Sequence, residues 1–285
     1  MRFYRESLGL SDSAFTILRD LIHERTGIYF EESRRDILAD KLSGRVIELG
    51  FNSFLDYYYY LKYDAGGEAE FKVIFNLITV NETYFFRELA ALEALVNQLV
   101  PSLLETNTGG KIRIWSAACS TGEEPLTIAI MLKEAGLLTD RIEILGTDAS
   151  SLAIGKAIKG LYSERSFRAT PELLRQKYFK PRDNGYLQID PDIHQFVRWA
   201  VVNLKDHTQV NAFAASHVIL CRNVFIYFSQ AVVQEVVNNF YKFMPEIAYL
   251  IVGVSESLLK YPVKFVMQDI GGSFIYVKDQ KSDSV

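Results

Sequence analysis

The feature that most constrains this chain is a change of period at Gly109-Gly110. Beyond it, short β-prone runs at 111–118, 143–147, 218–221, 249–254 and 274–277 alternate with helical segments at 121–137, 151–158 and 230–243. Strands alternating with helices predict a mostly parallel sheet covered on both faces. Before it, apolar residues recur only at helical spacing. Phe15, Leu18, Leu21 and Ile22 follow a capping run, Ser11-Asp12-Ser13. A second helix is expected over 32–49, with Ile37, Leu38, Leu42, Val46 and Leu49 on its apolar side and Gly50 closing it. A third and a fourth are expected over 54–63 and 68–78. Between the strand runs lies an irregular stretch, about 160–202. Its Asn184-Gly185 turn, flanked by 186–189 and 196–202, predicts a small antiparallel insert. The expected organisation is therefore a helical unit over 1–80, a linker and active-site segment over 81–110, and an α/β unit over 111–285.

Composition removes several function classes. The net charge of -4 argues against a general nucleic-acid binder. Cys119 and Cys221 are lone thiols in apolar runs, which form neither a zinc site nor a disulfide framework. They fit a reducing compartment, the cytoplasm. No apolar run is long enough to cross a bilayer. The opening Met1 to Arg5 leads into polar sequence, with no signal-peptide pattern. The tail from Lys281 is expected to fray.

Four segments carry chemistry. The first predicted strand runs into Cys119-Ser120-Thr121-Gly122-Glu123-Glu124-Pro125, the strand–turn–helix layout of a nucleotide-binding βα unit. Its carboxylates would repel a pyrophosphate, which wants bare N–H groups at a helix N-terminus. They suit a cationic ligand, or they merely favour the helix dipole. Asp148 ends the second strand, where an acid typically accepts hydrogen bonds from ribose hydroxyls; it could equally cap the next helix. Arg222 and Asn223 fall at the carboxyl end of a later strand, where open α/β sheets bind ligands. Charge inside that apolar run demands a partner, whereas Phe225, Ile226 and Phe228 read as core. Finally, Asn81-Glu82-Thr83-Tyr84-Phe85-Phe86-Arg87-Glu88 interleaves polar groups with three rings, a pattern that an interdomain seam would also explain.

In order and spacing, these segments resemble the CheR chemotaxis methyltransferases. The matching stretches are 81–88, Trp115-Ser116-Ala117-Ala118 through Pro125, Gly146-Thr147-Asp148, and Cys221-Arg222-Asn223-Val224-Phe225-Ile226-Tyr227-Phe228. The resemblance covers nearly the whole chain. It implies a Rossmann-like class I methyltransferase sheet with a helical N-terminal domain and an inserted β-subdomain. It also implies S-adenosylmethionine as cofactor and chemoreceptor glutamates as methyl acceptors. By resemblance Asn81, Thr83, Arg87, Glu123, Asp148, Asn203, Leu204, Arg222 and Asn223 line the cofactor pocket. Arg87 and Tyr227 face the substrate carboxylate. Arg34, Lys41 and Arg45, spaced by seven and four, are expected to share a basic helix face that steers receptor helices, or else to be a solvated face relieved by nearby acids. The resemblance further implies a monomer, and in some relatives the β-subdomain captures a receptor C-terminal peptide.

The C-terminal half departs from the family pattern. Gly253-Val254-Ser255-Glu256-Ser257 stands for Gly-His-Ser-Glu-Ser, Met244-Pro245-Glu246-Ile247-Ala248 lacks the Pro-Gly-Gly turn, and Phe213-Ala214-Ala215-Ser216-His217 replaces Phe-Asp. Two competing readings are a catalytically silent scaffold module, against which Arg87 and Tyr227 speak, and a nicotinamide-dependent oxidoreductase, which the acidic turn and missing glycines disfavour.

Overall fold

The computed structural model describes residues 8–278; the expectations about the first five residues and the tail lie outside them. The chain forms two compact units. One takes in Met1–Val80 with Tyr227–Val232, the other Asn81–Ile226 with Val233–Val285.

The smaller unit is helical. Helix α1 (Asp12–Thr26) begins where Ser11 Oγ accepts the Ala14 N–H and ends at Gly27, whose φ of 78° puts it in the left-handed region. A 3-10 turn (Glu32–Arg34) leads into α2 (Arg35–Glu48), followed by α3 (Phe54–Tyr63) and α4 (Gly67–Ile78). Phe15, Leu18, Ile22, Leu38, Leu42, Tyr57, Leu61, Phe71 and Ile74 form its core. Ile37 is expected inside but is 49% exposed, beside the stripe of Leu38, Leu42 and Val46 that is fully buried. The Tyr227–Val232 excursion is held within this unit. Tyr29 N–H donates to the Tyr227 carbonyl at 2.9 Å, and Ile28 bridges to Phe228. A Cβ on Gly27 would sit 2.9 Å from Val232, so the bare backbone there is a packing requirement.

The proposed basic face is altered by this packing. Arg34 lies in the 3-10 turn rather than in α2, and it is exposed. Lys41 Nζ donates to the Leu77 carbonyl at 3.1 Å. Arg45 donates to both oxygens of buried Glu70, at 2.8 and 2.7 Å, and Glu70 also accepts from the Tyr57 hydroxyl. Lys41 and Arg45 therefore also make contacts inside the helical unit, Arg45 with a buried carboxylate that must be satisfied.

In the larger unit, the supposed linker is mostly helix: α5 (Leu89–Ala94), a π turn (Leu95–Leu99) and α6 (Val100–Thr106). Their Leu92, Leu95, Val96, Leu99 and Leu103 join the core, which is why this stretch orders. There follow β1 (Ile112–Ala117), α7 (Glu123–Glu134), β2 (Ile142–Asp148), α8 (Ser151–Lys159), β3 (Leu161–Tyr162), α9 (Glu172–Tyr178), β4 (Phe179–Pro181), β5 (Leu187–Ile189), α10 (Pro191–His194), β6 (Val197–Val201), α11 (His207–Ala214), β7 (Val218–Cys221), α12 (Gln230–Phe243), β8 (Tyr249–Val252), β9 (Val266–Ile270) and β10 (Ser273–Val277). The main sheet has seven strands in the order β6-β2-β1-β7-β8-β10-β9. Its first five are parallel and β10 runs antiparallel to both neighbours. The order reverses between β1 and β7, the switch point at which such sheets open a crevice.

The insert is smaller than expected. Strands β3, β5 and β4 make an antiparallel three-stranded sheet. The 196–202 run does not pair with the segment after Asn184-Gly185. It becomes β6, parallel to β2, with Gly146 opposite Trp199. The Trp199 ring occupies the space that side chains at Gly122 and Gly146 would need, coming within 2.7 Å of either ideal Cβ. That close fit accounts for its place in the main sheet.

Candidate active site

The five parallel strands of the larger unit, β6, β2, β1, β7 and β8, end at the same edge of the sheet. After β1 the backbone visits the left-handed region three times in five residues, at Ala118 (φ 61°), Ser120 (φ 52°) and Gly122 (φ 93°), before α7 begins. Such a turn exposes peptide groups to whatever lies above it. Ser120 N–H donates to Asp148 Oδ2 at 2.9 Å, and Ser150 N–H to Oδ1 at 2.8 Å. Asp148 is thus pinned at the end of β2 with 7% of its surface exposed. Burial pushes its carboxyl above the ordinary range against those two N–H groups. Ser150, not Asp148, caps α8. Val202 N–H donates to the Asp148 carbonyl, which brings Asn203 and Leu204 beside it.

The two glutamates of the turn have different roles. Glu123 is 2% exposed; it accepts from Thr121 Oγ1 at 2.6 Å and Ser166 Oγ at 2.9 Å, and burial pushes its carboxyl up. Glu124 accepts from Ser116 Oγ at 2.6 Å and from Arg222 at 2.8 Å. The charge of Arg222 is therefore paired, as its apolar surroundings require. Its other guanidinium nitrogen donates to the Arg87 carbonyl at 2.8 Å and to Glu88 Oε2 at 3.0 Å. Asn223 donates to Glu88 Oε1 at 3.1 Å, while its backbone N–H reaches Glu256 at 2.8 Å.

The 81–88 segment has no regular secondary structure until α5. Asn81 is exposed; Thr83 and Arg87 are half-buried. It is not simply a seam: Phe85 stacks on Phe167 and meets Tyr162 and Phe179 edge-on, all inside the larger unit. Phe86 N–H donates to Thr127 Oγ1 of α7. Arg87 donates to the Glu82 carbonyl at 3.0 Å and lies over the Tyr84 ring. Tyr227 belongs to the smaller unit.

Asp148, Asn203, Leu204, Glu123, Arg222, Asn223 and Arg87 are thus gathered at the carboxyl ends of the parallel strands. Sequence reasoning missed Glu88, Glu256 and Ser166 as their partners. Glu88 and Glu256 stand inside conspicuous motifs, yet nothing in the sequence shows what they touch. Nothing local marks Ser166.

The family model for the CheR methyltransferase S-adenosylmethionine-binding domain matches residues 81–271, and that for the CheR all-alpha domain matches 13–79. "Chemotaxis protein methyltransferase 2" of Vibrio cholerae serotype O1 is 36% identical over 277 residues, 96% of each chain. The chemotaxis protein methyltransferase of Escherichia coli K12 is 31% identical, covering 92% of this chain and 91% of that one. That of Borreliella burgdorferi is 30% identical over 88% and 90%.

The residues present fit S-adenosylmethionine. A pinned carboxylate at the end of β2 suits two ribose hydroxyls, and the surrounding turn and loops are acidic, since Glu123, Glu124 and Glu88 lie there with Arg222 pairing the last two. Ser120 Oγ, buried beside Asp148, has no hydrogen-bond partner among the described residues. No helix among them is long and apolar enough to cross a membrane. With both of its units matched in order and relatives aligned over nearly its whole length, the chain belongs to the CheR family of S-adenosylmethionine-dependent methyltransferases.

Proposed function

We propose that this enzyme methylates glutamate side chains of chemoreceptors, forming glutamyl methyl esters for sensory adaptation. It does so in the cytoplasm and as a monomer. The observation that carries the reading is the ionic row Glu124–Arg222–Glu88–Asn223, which joins three of the four family motifs at one sheet edge. Asn81, Thr83, Arg87, Glu123, Asp148, Asn203, Leu204, Arg222 and Asn223 are the residues proposed to hold the cofactor. Asp148 takes the ribose and Asn203-Leu204 the adenine side; Glu123 and Arg222 shape the turn and the loop from within their own bonds.

When bound, S-adenosylmethionine supplies an electrophilic methyl group. A glutamate carboxylate, with an ordinary pKa of about 4.3, is already ionised at neutral pH, so no residue of the chain has to remove a proton. The chain's task is orientation. Arg87 spends one N–H on the Glu82 carbonyl and presents the rest of its guanidinium to the substrate carboxylate. Tyr227 is the residue proposed as a hydrogen-bond donor to the substrate carboxylate. Too tight a grip would stabilise the ground state and slow transfer. Arg34 is the exposed member of the proposed receptor-steering set, with Lys41 and Arg45 adding charge from their internal contacts. The edge of the β3-β5-β4 sheet is the proposed place for a receptor C-terminal peptide.

Titration calorimetry with S-adenosylhomocysteine, followed by radiolabelled methyl transfer to receptor-enriched membranes, tests the reading. Micromolar product binding and base-labile label on the receptor are expected. Folded protein that binds nothing at millimolar ligand would overturn it.

A further inference from the structure

Glu88 is the residue of this site whose contacts exceed what its position explains. It stands at the N-cap of α5, yet its side chain makes no capping bond. Its φ of 50° is left-handed, as is that of Phe86 (φ 62°), so Arg87 sits between two backbone positions that L-residues avoid. Such a conformation persists only where its surroundings over-determine it. Here they do. Phe85 and Phe86 are fixed on one side by their N–H bonds to the Ser166 carbonyl and Thr127 Oγ1. On the other side the Glu88 carboxylate accepts from Arg222 at 3.0 Å, Asn223 at 3.1 Å and the Val254 N–H at 3.1 Å, with Arg87 Nε at 3.9 Å. One side chain thereby ties the Arg87 segment to the loops after β7 and β8.

We propose that Glu88 is a positioning residue, whose carboxylate registers Arg87 against the Arg222-Asn223 loop and so fixes the substrate-facing group relative to the cofactor-facing ones. The proposal rests on the functional reading above for what Arg87 and the loop each hold. Burial pushes the Glu88 carboxyl up, but Arg222, Asn223 and the Val254 N–H together hold it below the ordinary range, so it is an anion throughout the neutral region. A helix-capping or strain-bearing role alone would need no charge and no particular acceptor.

Two substitutions in the full chain separate these roles. Glycine adopts a positive φ freely, so Glu88→Gly keeps the backbone and removes the carboxylate. Glu88→Gln keeps an acceptor of the same reach. Glu88→Gly is expected to lower kcat by about 100-fold, the scale of a 1 Å misplacement, and to weaken S-adenosylhomocysteine binding by less than about tenfold, a loss of roughly one hydrogen bond. Glu88→Gln, which keeps one accepting oxygen but not the charge, should recover only part of the kcat. In an Arg87→Ala background, Glu88→Gly should cost no more than about threefold, since residues acting through one another are non-additive. Amide exchange over 253–256 should rise in Glu88→Gly. Because exchange needs no substrate, that arm tests the registry even if the receptor assignment fails, and absence of methyl transfer by the unmodified chain defeats only that assignment. A Glu88→Gly enzyme within twofold of wild-type kcat, a full loss repeated in the Arg87→Ala background, or unchanged exchange would each overturn the proposal.

Discussion

Arg222 and Glu124 meet at 2.8 Å, joining the loop after β7 to the first turn of α7. The Arg222 side chain is 2% exposed, and Glu88 takes its second nitrogen. Removing one member of such a pair leaves carboxylates without their cation. Arg222→Ala should therefore destabilise the larger unit by about 3 kcal/mol, read as a lower urea midpoint. A change under about 0.5 kcal/mol would mean that water replaces the guanidinium at no cost.

Asp148 gives a cleaner test of the cofactor site, because its own bonds come from backbone N–H groups that a small residue leaves in place. Asp148→Ala should weaken S-adenosylhomocysteine binding by about 100-fold, the worth of hydrogen bonds to a charged group. Far-ultraviolet circular dichroism should stay unchanged. Wild-type affinity would remove Asp148 from the site.

Arg87→Ala should cut methyl transfer far more than product binding, by about 100-fold against less than tenfold, if orientation is its task. Equal losses in titration and turnover would reassign Arg87 to the cofactor.

Glu123 makes a prediction about pH. Burial raises its folded pKa above the unfolded one. Its contribution is then fully present below the unfolded value and is lost as pH rises through the folded one, so the buried anion is a cost at neutral pH. Glu123→Gln keeps the polar contacts with Thr121 and Ser166 and removes the charge. The melting temperature without ligand should rise by about 2–4 °C at pH 7.5, and the gain should vanish near pH 4. A gain of equal size at both pH values would refute this electrostatic origin.

Gly122→Ala should be poorly tolerated. Its φ of 93° disfavours any side chain, and the added Cβ would lie 2.7 Å from the Trp199 ring. Strain and overpacking together should cost about 3 kcal/mol. Trp199→Leu in the same chain should recover only the packing part, measurable by denaturant titration.

Periodicity and turn chemistry determined most elements of this protein without help from distant residues. The third helix, β7 and α12 fall on the expected residues, because apolar spacing and caps are local properties. Asp148 and Arg222-Asn223 were legible for the same reason: each ends or follows a strand, and strand ends of a parallel sheet converge, whereas the roles of Arg87, Asn203 and Leu204 came only with the family resemblance. What the local pattern does not contain is pairing. Val197–Val201 alternates as well as any hairpin strand, and it is the parallel ladder with β2, with Trp199 packed over Gly122 and Gly146, that puts it in the main sheet. Arg45 looks like a surface cation in helical spacing, and only the buried Glu70 carboxylate, 25 residues away, turns it inward. Edge strand β9 carries little burial of its own and is specified by its ladder with β10. The partners of Arg222 come from segments 98 and 134 residues away, and a charge buried among apolar side chains announces that it needs a partner but not which one.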